Sequence, residues 1–183
     1  MSLRTFKGGV HPFEGKELSK SKPIKELLPQ GELVFPVSQH IGAPAKPLVA
    51  KGDTVLRGQK IAEAGGFVSS PIYSSVSGTV KAIEKRRTAT GDMVDAIVIE
   101  SDGNFMEAGF EETEDVTKLS NQEIIKKIQD AGVVGMGGAG FPTHVKLSPK
   151  NPDQIDYIIA NCAECEPYLT SAYREMVEEP EKL

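Results

Sequence analysis

Long apolar runs are missing from this sequence. No stretch approaches the roughly 18 consecutive apolar residues that a membrane-spanning helix needs, so any membrane role is expected to come through partners. Cysteine is scarce as well, at two in 183 residues. That argues against a disulfide framework and fits a reducing cytoplasm. Positive charge is not in excess: the formal net charge is -5. Phosphate backbones are held by basic surfaces, so a general nucleic-acid partner is not expected. The start, Met1-Ser2-Leu3-Arg4-Thr5-Phe6, has no apolar core segment, and no signal peptide is expected there.

What is present describes a folded chain. Hydrophobic residues make up 39% and charged residues 26%, a balance that can bury a core. Eighteen Gly and twelve Pro imply many turns and short strands. The fold class expected is α+β and multidomain. Residues 1–30 are polar and basic, with Gly8-Gly9, Pro12, Pro23 and Pro29, and read as an extended arm lying across the following domain. Residues 31–103 read as β. Short apolar runs at Glu32–Val37, Lys46–Ala50, Thr54–Leu56, Lys60–Ala64, Gly78–Ile83 and Asp95–Glu100 are separated by Gly- and Asp-containing turns, the spacing of a small sandwich or barrel.

Residues 104–119 are rich in acid (Glu107, Glu111, Glu112, Glu114, Asp115) and read as a linker. Residues 120–183 switch to α/β. Ser120-Asn121-Gln122-Glu123 forms a capping box, in which Ser and Glu side chains satisfy free N–H groups at a helix start. Ile124, Ile125, Ile128 and Ala131 share one helical face, and Gly132 is a natural stop. Ile155–Ala160 reads as a buried strand, and Thr170–Glu179 as a helix with Tyr173, Met176 and Val177 inward. One strand and two helices do not complete an α/β core, so this last domain is expected to be incomplete.

The β region resembles the biotinyl/lipoyl barrel-sandwich hybrid family on two stretches. One is Val49-Ala50-Lys51-Gly52-Asp53-Thr54-Val55-Leu56-Arg57-Gly58-Gln59-Lys60-Ile61-Ala62, and the other Val76-Ser77-Gly78-Thr79-Val80-Lys81-Ala82-Ile83. In that family a hairpin between the halves presents a Lys for the covalent carrier. Here the segment is Glu63-Ala64-Gly65-Gly66-Phe67-Val68-Ser69-Ser70-Pro71, with no amine to form the amide. The module is therefore expected to be structural.

Gly135-Met136-Gly137-Gly138-Ala139-Gly140 satisfies G-x-G-x-x-G. Glycines let backbone N–H groups approach a phosphate or flat ring with no Cβ in the way. Alone the pattern is weak: a ligand-free connection fits it as well as a ligand site does, and a Rossmann turn, supported by Glu164 after the next strand, has only Val133-Val134 where its strand should be. The longer run through Phe141-Pro142-Thr143, with Lys146, resembles the flavin- and NADH-binding subunit of respiratory complex I. So does Asn161-Cys162-Ala163-Glu164-Cys165-Glu166-Pro167. Ala163, Met136 and Leu147 depart from that family's Asp, Arg and Trp.

A resemblance to the C subunit of the Rnf electron-transport complex covers almost the whole chain. It rests on Thr5-Phe6-Lys7-Gly8-Gly9-Val10-His11-Pro12, Ser38-Gln39-His40-Ile41-Gly42-Ala43-Pro44, the Gly135 to Lys146 run, and Ala163-Glu164-Cys165-Glu166-Pro167-Tyr168. Cys162 stands where Gly is common. The resemblance implies a peripheral subunit on the cytoplasmic face of a bacterial plasma membrane. Such a subunit passes electrons between NADH and ferredoxin within an ion-translocating complex. It implies FMN and NADH at Gly135, Gly137, Gly138, Ala139, Gly140, Phe141, Lys146, Asn161, Glu164 and Glu166. It also places the [4Fe–4S] clusters in a later region, so the chain is expected to be a fragment and inactive alone.

In that reading the glycines give close approach, Phe141 lies near the rings and Lys146 neutralises phosphate or flavin charge. Asn161 bonds the flavin, and Glu164 and Glu166 orient the nicotinamide portion. Cys162 and Cys165 form a C-x-x-C, half of a tetrahedral metal site at most. His11 and His40 read as hydrogen-bonded turn residues, and His144 as solvated beside the glycine loop. Two other readings stay open: a non-catalytic β docking module, and a fragment of a Rossmann-type NAD-dependent dehydrogenase.

Overall fold

The structure is a computed structural model describing residues 10, 12–110, 115–136 and 138–182. The acids Glu111, Glu112 and Glu114, the residues before Val10, His11 and Gly137 lie outside the described residues. The chain divides into two compact units, one of residues 29–154 and one joining 1–28 to 155–183.

The larger unit begins with seven strands. They are β1 (Glu32–Pro36), β2 (Lys46–Pro47), β3 (Thr54–Val55), β4 (Lys60–Glu63), β5 (Ile72–Tyr73), β6 (Gly78–Arg87) and β7 (Met93–Ser101). One sheet runs β1-β7-β6-β3 and the other β2-β4-β5, with every pairing antiparallel. Alternation explains the two-sheet packing. Phe35, Val55, Ile61, Val76, Val80, Ile97 and Ile99 meet in one core, with Leu33, Val49 and Phe105 packed against it. A register shift between Val80 and Ala82 lets β6 continue past the core as an exposed ribbon with β7. Its outer face carries ion pairs, Lys81 to Glu32 at 2.8 Å and Arg86 to Glu32 at 2.8 Å.

The segment between the half-barrels does not project. The Gly65 N–H donates to Ser69 Oγ, which itself donates to the Ala43 carbonyl, both at 2.8 Å. Ala43 N–H donates to the Val68 carbonyl at 3.0 Å. The place of a carrier hairpin is thus taken by a segment fastened to Ala43 and Pro44 of the same barrel.

The acidic segment is not wholly a linker. Arg57 N–H donates to the Met106 carbonyl at 2.9 Å and Ala108 N–H to the Arg57 carbonyl at 2.8 Å, and Phe105 packs against the core. The Phe110 ring lies where a Cβ on Gly58 would go. Apolar residues spaced among the acids fasten 105–110 to the barrel, a feature that counting charge alone conceals.

Helix α1 (Asn121–Asp130) starts with both halves of the capping box formed, Ser120 accepting from Glu123 N–H and Glu123 accepting from Ser120 N–H at 2.8 Å. Gly132 ends it with φ +72. The Tyr73 hydroxyl donates to the Asp130 carbonyl, tying the helix end to β5. Helix α2 (Thr143–Lys146) follows the glycine loop.

In the smaller unit the arm packs against residues 164–178, which share that unit with it. Helix α3 (Ser171–Glu178) forms as expected. Tyr173, Met176 and Val177 do not point inward: they are 45%, 36% and 54% exposed. The expected buried strand at 155–160 is not a strand, and Ile158 and Ile159 are 90% and 86% exposed. A buried strand needs neighbours on both edges, and among the described residues nothing pairs with this one.

The capping box makes a pH-sensitive helix start. Hydrogen bonds from Ser120 hold the Glu123 carboxyl below its ordinary value of 4.5. A carboxyl depressed in the folded state stabilises above its unfolded pKa, and that contribution is lost as pH falls through the folded value. Hydrogen-exchange protection of residues 121–130 should therefore decline on acidification below 4.5. In Glu123→Gln that decline should be absent. An identical acid profile in both proteins would show that the box does not hold the helix.

Candidate functional site

The glycine loop belongs to the larger unit. Val134 and Pro142 bridge, and Gly135 N–H donates to the Phe141 carbonyl at 3.0 Å, so the loop is a tight reversal with Met136 and residues 138–140 at its tip. Val133-Val134 form no full strand, which removes the strand–turn–helix context of a Rossmann turn. Gly138 and Gly140 both adopt positive φ, +58 and +60. They differ in surroundings. A Cβ on Gly138 would meet nothing within 4 Å, while one on Gly140 would lie 2.7 Å from the Gln39 carbonyl oxygen. Gly140 is therefore needed for packing, and Gly138 leaves an open face.

The barrel holds the loop through residues 39–41 and 67. Ile41 N–H donates to the Ala139 carbonyl at 3.0 Å. His144 is buried, contrary to the solvated state expected of it, with Nε2 facing the Phe67 carbonyl at 3.4 Å. The loop folds back onto the barrel and carries His144 inside with it. Phe141 is half-buried and Lys146 exposed at the end of α2. Among the described residues Lys146 has no ion pair. A cavity of about 380 Å³ lies where the loop meets the barrel, lined by Gly135, Met136, Gly138, Ala139, Gly140 and residues 38–41.

The other expected residues are in the smaller unit. Asn161 Oδ1 accepts from Ala163 N–H at 3.0 Å, an Asx turn that leaves the amide NH₂ free to donate. Glu164 is largely consumed by structure. Its Oε1 accepts from Ala172 N–H at 2.7 Å at the start of α3, and Lys16 Nζ stands 3.9 Å from Oε2. Glu166 has an exposed side chain. Cys162 and Cys165 are free thiols, and among the described residues no group of three His, Cys, Asp or Glu could hold a metal.

Sequence reasoning missed Lys16. Its ammonium donates to the carbonyls of Leu169 at 2.9 Å and Glu166 at 3.3 Å, across about 150 positions of sequence. Beside it the Tyr168 ring occupies the space over Gly15, and Tyr168 N–H donates to the Glu14 carbonyl at 2.6 Å. No local pattern signals a contact so distant in the chain.

Against this geometry the comparisons with known proteins are specific. Residues 4–104 match the family model of the RnfC barrel sandwich hybrid domain. The chain belongs to the RnfC family. Residues 128–183, which contain both candidate loops, match the model of the Nuo51 FMN-binding domain. The chain is 44% identical over 180 residues to the C subunit of the Na(+)-translocating ferredoxin:NAD(+) oxidoreductase complex of Acetobacterium woodii, covering 98% of this chain and 41% of that protein. It is 47% identical over 184 residues to the C subunit of the proton-translocating ferredoxin:NAD(+) oxidoreductase complex of Clostridium ljungdahlii, covering 99% and 40%. The chain thus spans about two fifths of the length of these curated relatives. The match fits the α+β, barrel-plus-flavin-domain architecture expected from sequence. No helix among the described residues is long and apolar enough to cross a membrane.

Two measurements test this local architecture. Gly140→Ala combines left-handed strain with a backbone clash and should cost at least about 2 kcal/mol, against about 1 kcal/mol for Gly138→Ala. Thermal melting of the two variants side by side checks the order, and equal costs would remove the Gln39 contact. Separately, Lys16→Met keeps the stem and removes the charge. It should lower the local opening free energy of residues 166–172 by about 1–2 kcal/mol, read by hydrogen exchange. Unchanged protection would show the ammonium to be dispensable.

Proposed function

We propose that this chain is the barrel and the first part of the flavin-binding region of a subunit that passes electrons between NADH and ferredoxin. The setting is a membrane-associated, ion-translocating complex. The reading rests on family membership, on the function carried in the names of the two relatives, and on one structural observation. That observation is the open, left-handed face of Gly138 beside a cavity of about 380 Å³, within the segment matching an FMN-binding model. Small-molecule sites run from about 300 to 1,000 Å³. The cavity thus suits part of a flavin nucleotide, and Gly138 and Gly140 make no hydrogen bond among the described residues that would occupy their amides.

FMN supplies the exchange between two-electron hydride chemistry and one-electron transfer. The chain's own residues bind and orient. Gly135, Gly138, Ala139 and Gly140 present backbone to the ligand, and Phe141 borders them. Lys146 is an exposed cation suited to phosphate or flavin charge. Asn161 donates through its free amide. Glu166 has the freer carboxylate for a nicotinamide ribose, while Glu164 acts mainly by ordering its loop. Iron–sulfur clusters belong to the remainder of the full-length subunit, whose partners are ferredoxin and the other subunits of the complex. The subunit sits peripherally on the cytoplasmic face.

A substitution on the open glycine face tests the proposal. In the full-length subunit, Gly138→Ala places a methyl where the ligand must approach and should lower NADH-driven dye reduction at least tenfold. The barrel should stay folded, as judged by its own melting transition. Wild-type dye reduction in that variant would take the glycine loop out of the site and leave the docking-module reading.

A further inference from the structure

The segment Ser38-Gln39-His40-Ile41-Gly42 lies in the barrel, yet it borders the glycine loop. We propose that Gln39, with Ser38 beside it, forms the second wall of the flavin site, so that the barrel supplies ligand contacts of its own. The inference rests on the functional reading above and adds residues to it.

Three observations carry it. The two backbones touch: Ile41 N–H donates to the Ala139 carbonyl at 3.0 Å, and the Gly140 Cα lies against the Gln39 carbonyl with no room for a Cβ. A ligand seated on the loop's open face at Gly138 therefore reaches the barrel within the same cavity, which Ser38, Gln39 and Thr90 line. Next, the segment is fixed. His40 is buried, and its Nε2 accepts from Ser70 N–H at 3.1 Å, so that nitrogen is unprotonated. Its Nδ1–H then donates to the Ile41 carbonyl at 3.1 Å. Gly42, with φ +105, lies against the Val68 carbonyl. A segment held at both ends is preorganised, and a ligand meeting it loses little to ordering.

The third observation is an imbalance of use. Thr90 spends its hydroxyl inside its own turn, on Thr88 and Asp92. The side chains of Ser38 and Gln39 make no hydrogen bond among the described residues, although every neighbour on the segment is engaged. Gln39 offers one acceptor and two donors. That set suits the alternating carbonyl and N–H edge of a flavin ring or its ribityl hydroxyls. His40 and Gly42 place the segment, while Gln39 and Ser38 face the ligand.

The test is FMN binding to full-length protein stripped of flavin, followed by quenching of flavin fluorescence. Gln39→Ala should raise the FMN Kd roughly fivefold and Ser38→Ala roughly twofold, as expected for lost hydrogen bonds. Gln39→Glu, which keeps the shape and adds charge beside an anionic ligand, should weaken binding more than Gln39→Ala. Thermal midpoints should match wild type in all three, because neither side chain bonds among the described residues. Wild-type affinity in both Gln39 variants, with Gly138→Ala weakened, would overturn the barrel wall and leave the functional reading standing. Wild-type affinity in Gly138→Ala as well would instead overturn the functional reading.

Discussion

A close backbone approach between Gly140 and Gln39 is the constraint on which the candidate site depends. Two chain segments about a hundred residues apart meet there with no side chain between them. Only glycine permits this, because any Cβ would strike the Gln39 carbonyl and φ +60 would strain it. Once the backbones touch, the Ile41 to Ala139 hydrogen bond fixes their register, and the loop tip is held on a rigid two-sheet barrel. A glycine loop is flexible by composition. Here the barrel supplies the rigidity that close ligand approach needs.

This coupling gives a physical use to a carrier-module fold whose 63–71 segment has no lysine. In place of an exposed hairpin, residues 65–69 are fastened down through Ser69, and Phe67 offers its carbonyl to the buried His144. Ser70, next in line, donates its N–H to His40. The elements that would present a lysine instead brace the segment under the glycine loop.

Much of the barrel was legible because period-two alternation and glycine turns are local signals. The runs around β1, β4, β6 and β7 carried both. Strand β5 escaped because two residues following Ser69-Ser70-Pro71 make no periodicity. The helix start at Ser120 was legible for the same reason, since a capping box lies within four residues. Three readings failed where the answer depended on distant partners. Ile155–Ala160 has the composition of a buried strand, but burial is a property of neighbours. Tyr173, Met176 and Val177 fall on one face of α3 for the same reason without being covered. His144 looked solvated beside a polar loop, and was drawn inside by a fold-back that no window of sequence contains.

For the candidate site, the residues proposed from sequence are not told apart by sequence. Glu164 and Glu166 look equivalent two positions apart. The structure separates them by what each already holds. One oxygen of Glu164 caps α3 through Ala172 N–H, and the other faces Lys16. Freeing that carboxylate for a ligand would take the acceptor from a helix end, a loss that opposes the exchange. Glu166 faces no such cost at its side chain, because Lys16 binds its backbone carbonyl instead. Lys16 therefore acts on the two acids in opposite senses. It restrains the Glu164 side chain and positions the Glu166 backbone, leaving the Glu166 carboxylate exposed. The arm, unremarkable in composition, thereby decides which of two neighbouring acids is available for recognition.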